Sequence, residues 1–221
     1  MATATPKQPK FDNLAELMEQ LGGVPLERIR MRPPPGTATE KDVLAAEREP
    51  RKRLCELIDG VLVEKATGIR ESSLAAFLAH LIHVFLDEDP RGIILGADGM
   101  IRTFPGQVRI PDVSFIAWER LPSDEVPNQG ISRVVPNLAV EVLSPSNTKA
   151  EIDRKLRDYF VAGVELAWVI DPKTQTAKAY TTPEDVLPIG KTGSLDGGAV
   201  LPRFRLPLKQ LFACLRRPRG R

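Results

Sequence analysis

The chain has 221 residues, 42% of them hydrophobic and 27% charged, with a formal net charge of +2. That length suits one α/β domain with a tail, and a charge so small does not by itself argue for nucleic acid, which needs a strongly basic domain or stripe. Two distant cysteines, Cys55 and Cys214, exclude a disulfide framework or a cysteine zinc site and fit a reducing cytoplasm. Residues 1–10 lack the apolar run of a signal peptide, and no later stretch approaches the roughly 20 apolar residues that span a bilayer, so a cytoplasmic protein with no membrane partner is expected.

Leu14, Leu17, Met18 and Leu21 repeat at helical spacing, with Asp12 or Asn13 as N-cap and Gly22-Gly23 as the stop. Pro33-Pro34-Pro35-Gly36 then breaks regular structure, and Thr39 with Asp42 resembles a capping box for a helix through about Glu47. Residues 1–38 are therefore read as a tail with a short helix, and the main domain as 39–213. Cys55 to Ile58 and Val61 to Glu64 flank Asp59-Gly60, which tolerates the positive φ angles of a two-residue hairpin.

From Glu71 to Asp87, Leu74, Phe77, Leu78, Leu81, Ile82 and Phe85 mark one side of a helix. Strands are expected at Ile93 to Leu95, Met100 to Phe104, Val108 to Ile110 and Val113 to Trp118, then a polar loop from Leu121 to Val135. Leu138 to Leu143 reads as an apolar strand carrying one acid. Thr148 or Ser146 can cap a helix to Ala162, with Gly163 as its left-handed terminator. Leu166 to Ile170 and Ala177 to Thr181 read as strands. Beyond Pro183 a small strand near Ala199 to Leu201 and a helix from Pro207 to Cys214 are expected, with 214–221 as a basic tail. Strands followed by helix and strand make an α/β pattern.

The acid in that apolar strand is Glu141. Alternation puts it on one face with Ala139 and Leu143, and a carboxylate so placed needs a cation, a metal or a hydrogen-bond donor, or else it takes a proton. Asp112, after Pro111 at the entrance to another apolar strand, is the second acid, although an Asp after Pro often only forms a turn. Lys155 borders the sheet-facing stripe of Ile152, Leu156, Tyr159 and Phe160, so its ammonium can reach toward the acids. The plainer alternative is a surface pair with Glu151, four residues earlier.

Other signals are weaker. Gly190-Lys191-Thr192 lacks the earlier glycine and the long helix of a phosphate-binding loop. His80 and His83 have no zinc-like spacing and read as surface residues, Ser144 and Ser146 have no nucleophile elbow, and Trp118 and Trp168 lie in apolar runs that suggest core packing.

From about Thr39 to Phe212 the order of short motifs resembles the Uma-two family of the PD-(D/E)XK nuclease superfamily. The matching pieces are Glu56-Leu57-Ile58-Asp59-Gly60, the helix from Glu71, Ile110-Pro111-Asp112-Val113, Val140 through Ser146, Glu151 with Lys155, and Val169-Ile170-Asp171-Pro172. The resemblance implies a restriction endonuclease-like α/β core, a mixed β-sheet flanked by helices. It implies a Mg²⁺-dependent DNA endonuclease, with Mn²⁺ able to substitute, in which Asp112, Glu141 and the Val142 carbonyl hold the ion at a fork in the strands.

The superfamily's lysine, two residues after the second acid, is Leu143 here. The resemblance moves that role to Lys155 on the next helix, with Lys149 as rival, and makes Glu56 a further site residue whose alternative is a hairpin-edge position. Arg51 to Arg53 and the basic tail are expected to grip DNA, and two strand cuts suggest a homodimer. The rival expectation is a catalytically inactive DNA-binding or regulatory module, motivated by Leu143.

Overall fold

A computed structural model describes residues 11–50, 53–66 and 68–217. In chain order the elements are α1 (Leu14–Gln20), α2 (Glu40–Arg48), β1 (Cys55–Ile58), β2 (Val61–Glu64), α3 (Ile69–Glu88), β3 (Gly92–Leu95), β4 (Ile101–Phe104), β5 (Gln107–Arg109), β6 (Val113–Ala117) and β7 (Leu138–Val142). There follow α4 (Lys149–Ala162), β8 (Leu166–Asp171), β9 (Thr176–Tyr180), β10 (Val186–Ile189), β11 (Ser194–Asp196), β12 (Arg205–Pro207) and α5 (Leu208–Ala213). A four-stranded antiparallel sheet has the order β2-β1-β5-β4, and a six-stranded mixed sheet the order β10-β9-β8-β7-β6-β3. The expected α/β class with a mixed sheet and flanking helices is what the chain adopts.

Strand alternation decides which helix lies on which face. On β7 and β8, Leu138, Val140, Val142, Trp168 and Ile170 enter the main core with Leu74, Leu78 and Ile82 of α3 and Leu208 and Leu211 of α5. Ala167 and Val169 turn the other way, against Ile152 and Leu156 of α4. Ala139 shares that face with Tyr159 of α4. β7 and β8 run parallel, with Leu138 opposite Leu166 and Val142 opposite Ile170, and α4 is the crossover that such a pair requires.

Two sheets meet at a short crossing. β5 belongs to the four-stranded sheet and β6 to the six-stranded one, with only Ile110, Pro111 and Asp112 between them. Val113 pairs with Val140, whereas the Asp112 N–H goes to the Val140 carbonyl at 2.9 Å, so the ladder breaks its regular register at the acid. This is the fork at the head of β6.

The β1–β2 hairpin turns at Asp59 and Gly60, with φ of 51° and 73°, as the dipeptide predicts. Asn13 caps α1, Thr39 and Asp42 form the capping box of α2, and Thr148 caps α4, which ends at Gly163.

Within the leading segment read as a tail, residues 17–29 are packed. Leu17, Leu21, Val24 and Ile29 form a core with Ile58, Val61 and Val63 of the hairpin. Gly22, at φ +77°, lies against the start of α4, where an added Cβ would sit 2.8 Å from the Glu151 nitrogen, so the close approach needs glycine both for its backbone and for its space.

Several expectations are corrected. No strand forms at Ala199 to Leu201: Leu201 N–H bonds back to the Gly197 carbonyl and Phe204 N–H to that of Leu201, so a tight turn carries Leu201 and Phe204 into the core while β11 and β12 pair on either side. β6 stops at Ala117, and Trp118 begins a half-buried 3-10 turn instead of packing fully, in contrast to the fully buried Trp168. α3, with 20 residues and mean hydropathy 1.3, has the length and composition to cross a bilayer, which the sequence reading denied to any stretch. Its Leu74, Leu78 and Ile82 stripe is fully buried in the main core, while His80 and His83 are exposed.

Candidate active site

Each charged side chain of the site is placed by strand or helix periodicity. Glu56 lies on the face of β1 opposite Cys55 and Leu57, which pack into the core beneath α2. Arg109, at the end of β5, alternates in the same way between Val108 and Ile110, one step from the Leu57–Val108 pair. Glu141 projects from β7 toward α4, and Lys155 and Tyr159, one turn apart on α4, meet it.

Lys155 is the hub. Its Nζ lies 3.0 Å from Glu141 Oε2 and 3.0 Å from Glu56 Oε1, and its side chain is 3% exposed. The Tyr159 hydroxyl donates to Glu141 Oε1, while Glu56 also accepts from the Ile110 N–H at 3.1 Å and from Arg109 at 2.9 Å. Arg109 Nε reaches Asp158 at 2.9 Å. Asp112 accepts the Val142 N–H through Oδ2 at 2.7 Å and the Lys65 ammonium through Oδ1 at 2.9 Å.

Burial pushes the Glu141 carboxyl above its ordinary range; Lys155 pulls it down, but Asp112 and Glu56 add to the push. Burial also works against ionised Glu56, yet there Lys155 and Arg109 prevail and hold it at about 2. For Lys155 burial favours the neutral amine, but Glu141 and Glu56 overcome it and hold the ammonium above its ordinary value. Burial, then Glu141, raises the Tyr159 phenol well above normal, so it stays a donor.

The structure thus brings together Glu56, Asp112, Glu141, Val142 and Lys155. Glu56 is buried and not a hairpin-edge residue. The alternative Glu151–Lys155 surface pair does not form, because Glu151 turns to Arg28 with Nη2 to Oε1 at 2.7 Å. Lys149 stands apart, 86% exposed and paired with Asp153. Lys155 is also not placed to take a proton from water, since two carboxylates enclose its ammonium. Arg53 is engaged by Glu49 and Glu64, and of the other residues expected to grip DNA, Arg216 and Arg217 are exposed while Arg51, Lys52 and residues 218–221 lie outside the described residues.

Sequence reasoning missed Arg109, Tyr159, Asp158 and Lys65. Arg109 carried the signal that revealed Glu141, a lone charge in an apolar strand. Lys65 carried none, because its partners are distant in the chain: Asp112, the Ala97 carbonyl at 2.9 Å and the Pro111 carbonyl at 3.1 Å.

Among the described residues no group of three or more His, Cys, Asp or Glu side chains could hold a metal ion. The donor chemistry nevertheless suits a hard divalent cation, which needs few protein ligands when it keeps its waters. Four acids, Glu56, Asp112, Glu141 and Asp158, face three cations, Lys65, Arg109 and Lys155. Burial is the main cause of the raised Glu141 carboxyl, and the neighbouring Asp112 and Glu56 charges add to it. On that balance the residues fit a cation.

The sequence profile of Uma2, described as a putative restriction endonuclease, matches residues 40–209. The chain belongs to the Uma2 family. No curated protein matches it. Among solved structures this Uma2 chain is similar to one from Anabaena variabilis ATCC 29413, described as a putative nuclease belonging to DUF820. The two are 20% identical over 74% of this chain and 92% of that one, with a TM-score of 0.66, and the likeness shows a shared fold. In the Uma2 chain the matched stretch includes Glu56, Asp112, Glu141 and Lys155.

Proposed function

We propose that the chain is a divalent-metal-dependent endonuclease that hydrolyses DNA phosphodiester bonds, with Mg²⁺ as the working ion and Mn²⁺ able to replace it. The observation that carries this reading is the convergence of Asp112, bonded to the Val142 N–H, and Glu141 at the strand fork, within a cluster of four acids and three cations. Asp112, Glu141 and the Val142 carbonyl would hold the ion, which when bound supplies charge neutralisation for the phosphoryl oxygens.

The chain's own residues do the rest. Lys155 works against the effect of burial on Glu141 and holds it in place, and acts as a positioning residue because its ammonium is enclosed by Glu141 and Glu56. Tyr159 fixes the other Glu141 oxygen, and the Val142 N–H fixes the rotamer of Asp112. Arg109 ties Glu56 to Asp158, so the site is pre-organised and needs little rearrangement when charge develops.

A cavity of about 840 Å³ opens beyond the C-terminal ends of β7 and β8, lined by Leu143, Ser144, Arg70, Lys173 and Lys178 among others. Ligands of open α/β sheets favour that location. Asp171 accepts N–H bonds from its own turn, and the exposed Lys173 and Lys178 have no carboxylate partner among the described residues. These cations suit the phosphate backbone of DNA, in place of the occupied Arg53.

A second reading, a noncatalytic DNA-binding module, is favoured by one observation: both oxygens of Asp112 and of Glu141 already have protein donors. Purified protein with plasmid DNA in Mg²⁺, Mn²⁺ or EDTA separates the two. Cutting that requires the metal and disappears in Glu141→Ala supports the nuclease. Retarded but intact plasmid under all conditions favours the module and overturns the enzyme.

A further inference from the structure

Lys65, just beyond β2, is held by three oxygens from two places in the chain. Its ammonium lies 2.9 Å from Asp112 Oδ1, 2.9 Å from the Ala97 carbonyl and 3.1 Å from the Pro111 carbonyl, and its side chain is 4% exposed. One carboxylate and two backbone carbonyls converging on a single positive charge form a hard-oxygen seat, the donor set that Mg²⁺, Mn²⁺ and Ca²⁺ prefer. The other Asp112 oxygen is committed to the Val142 N–H, so Oδ1 is the atom through which Asp112 can meet a cation.

We propose that this seat is a divalent-cation site built from Asp112 Oδ1 and the carbonyls of Ala97 and Pro111, with the Lys65 ammonium as its resident stand-in. The inference rests on the metal-dependent reading above and deepens it, because it adds two ligands and a competitor that the resemblance did not name. An arriving ion exchanges with the ammonium. The three oxygens, now at ammonium distances, close in to the shorter bonds of an ion, about 2.0 to 2.6 Å depending on the metal. Lys65 sets the affinity of the seat, since an ion binds only to the extent that it displaces the lysine.

Mn²⁺ titration of the full chain without DNA, by calorimetry and by the loss of the free-ion electron resonance signal, tests this for the parent, Lys65→Met, Lys65→Gln and Lys65→Arg. The neutral variants are expected to bind Mn²⁺ at least ~10-fold more tightly than the parent, because the competing charge is gone. Lys65→Arg should show no gain, and Asp112→Asn added to Lys65→Met should abolish it. Thermal melting checks the fold, and Lys65→Gln, whose amide can still donate to the carbonyls, carries the comparison if Lys65→Met does not fold.

Neutral variants that bind no more tightly than a Mn²⁺-binding parent overturn this inference and leave the metal-dependent reading standing. Binding by the neutral variants but not by the parent upholds the seat and makes Lys65 its block in the natural chain. No binding by any of them overturns this inference, while the metal-dependent reading is decided by plasmid cleavage, where substrate phosphates can complete the ion's ligands.

Discussion

Arg28 and Glu151 form a two-pronged ion pair, Nη2 to Oε1 at 2.7 Å and Nη1 to Oε2 at 3.1 Å, that joins the leading segment to the first turn of α4. Arg28 Nε also donates to the Glu64 carbonyl at 2.8 Å, so one guanidinium holds the hairpin and the helix together. Burial opposes the Glu151 charge, yet the Arg28 hydrogen bond holds its carboxyl below the ordinary range.

Arg28→Met should therefore destabilise the fold by about 3–5 kcal/mol, because it leaves Glu151 buried and uncompensated. Urea unfolding at neutral pH measures this. A loss below about 1 kcal/mol would show that the leading segment is a dispensable attachment.

Glu56 and Glu141 share Lys155 yet should respond oppositely to neutralisation. Glu56 is held at about 2 against a reference of 4.5, a stabilisation of roughly 3 kcal/mol that is present above about pH 4.5 and lost as pH falls through about 2. Glu56→Gln should melt well below the parent at pH 7 and show a flatter acid limb. Glu141 lies above its ordinary value, so its favourable contribution is complete at low pH and is lost as pH rises through the raised value. Glu141→Gln should melt no lower than the parent at pH 7. Melting curves of the two variants across pH 2 to 8 decide it, and equal destabilisation at pH 7 would contradict the assignment.

Asp112→Asn should cut plasmid at least ~10²-fold more slowly than the parent while still folding, with a lower melting temperature because the buried Lys65 ammonium loses its carboxylate. The measurement is single-turnover cleavage in Mg²⁺. Equal rates would remove Asp112 from the reaction.

The cations around the cavity should act on affinity alone. Alanine at Arg70, Lys173 or Lys178 is expected to lower the slope of log affinity against log salt by about 0.9 for each duplex phosphate that is no longer neutralised. Fluorescence anisotropy in EDTA reads this without cleavage, and unchanged slopes in all three variants would move the DNA path elsewhere.

Much of this arrangement was legible in the sequence. Asp59-Gly60 marked the hairpin, Thr148 and Gly163 bounded α4, and the alternation of β7 put Glu141 on the α4 face. These signals are local, set by φ angles, caps and side-chain period. The same logic applied to Val108-Arg109-Ile110 would have exposed Arg109. Lys65 was beyond its reach, since its three acceptors come from positions 97, 111 and 112, and only the folded chain brings them together. The leading segment was misjudged because its few apolar residues look sparse until the hairpin supplies the other half of their core.

Lys155 takes one acceptor from each sheet, since Glu56 sits on the four-stranded layer and Glu141 on the six-stranded one. A single ammonium on α4 is thus a rivet through both plates. Any sliding of one plate over the other would strand a charge in the dry interior, so the fork stays locked at one width, and whatever reacts there meets a jaw of fixed gape.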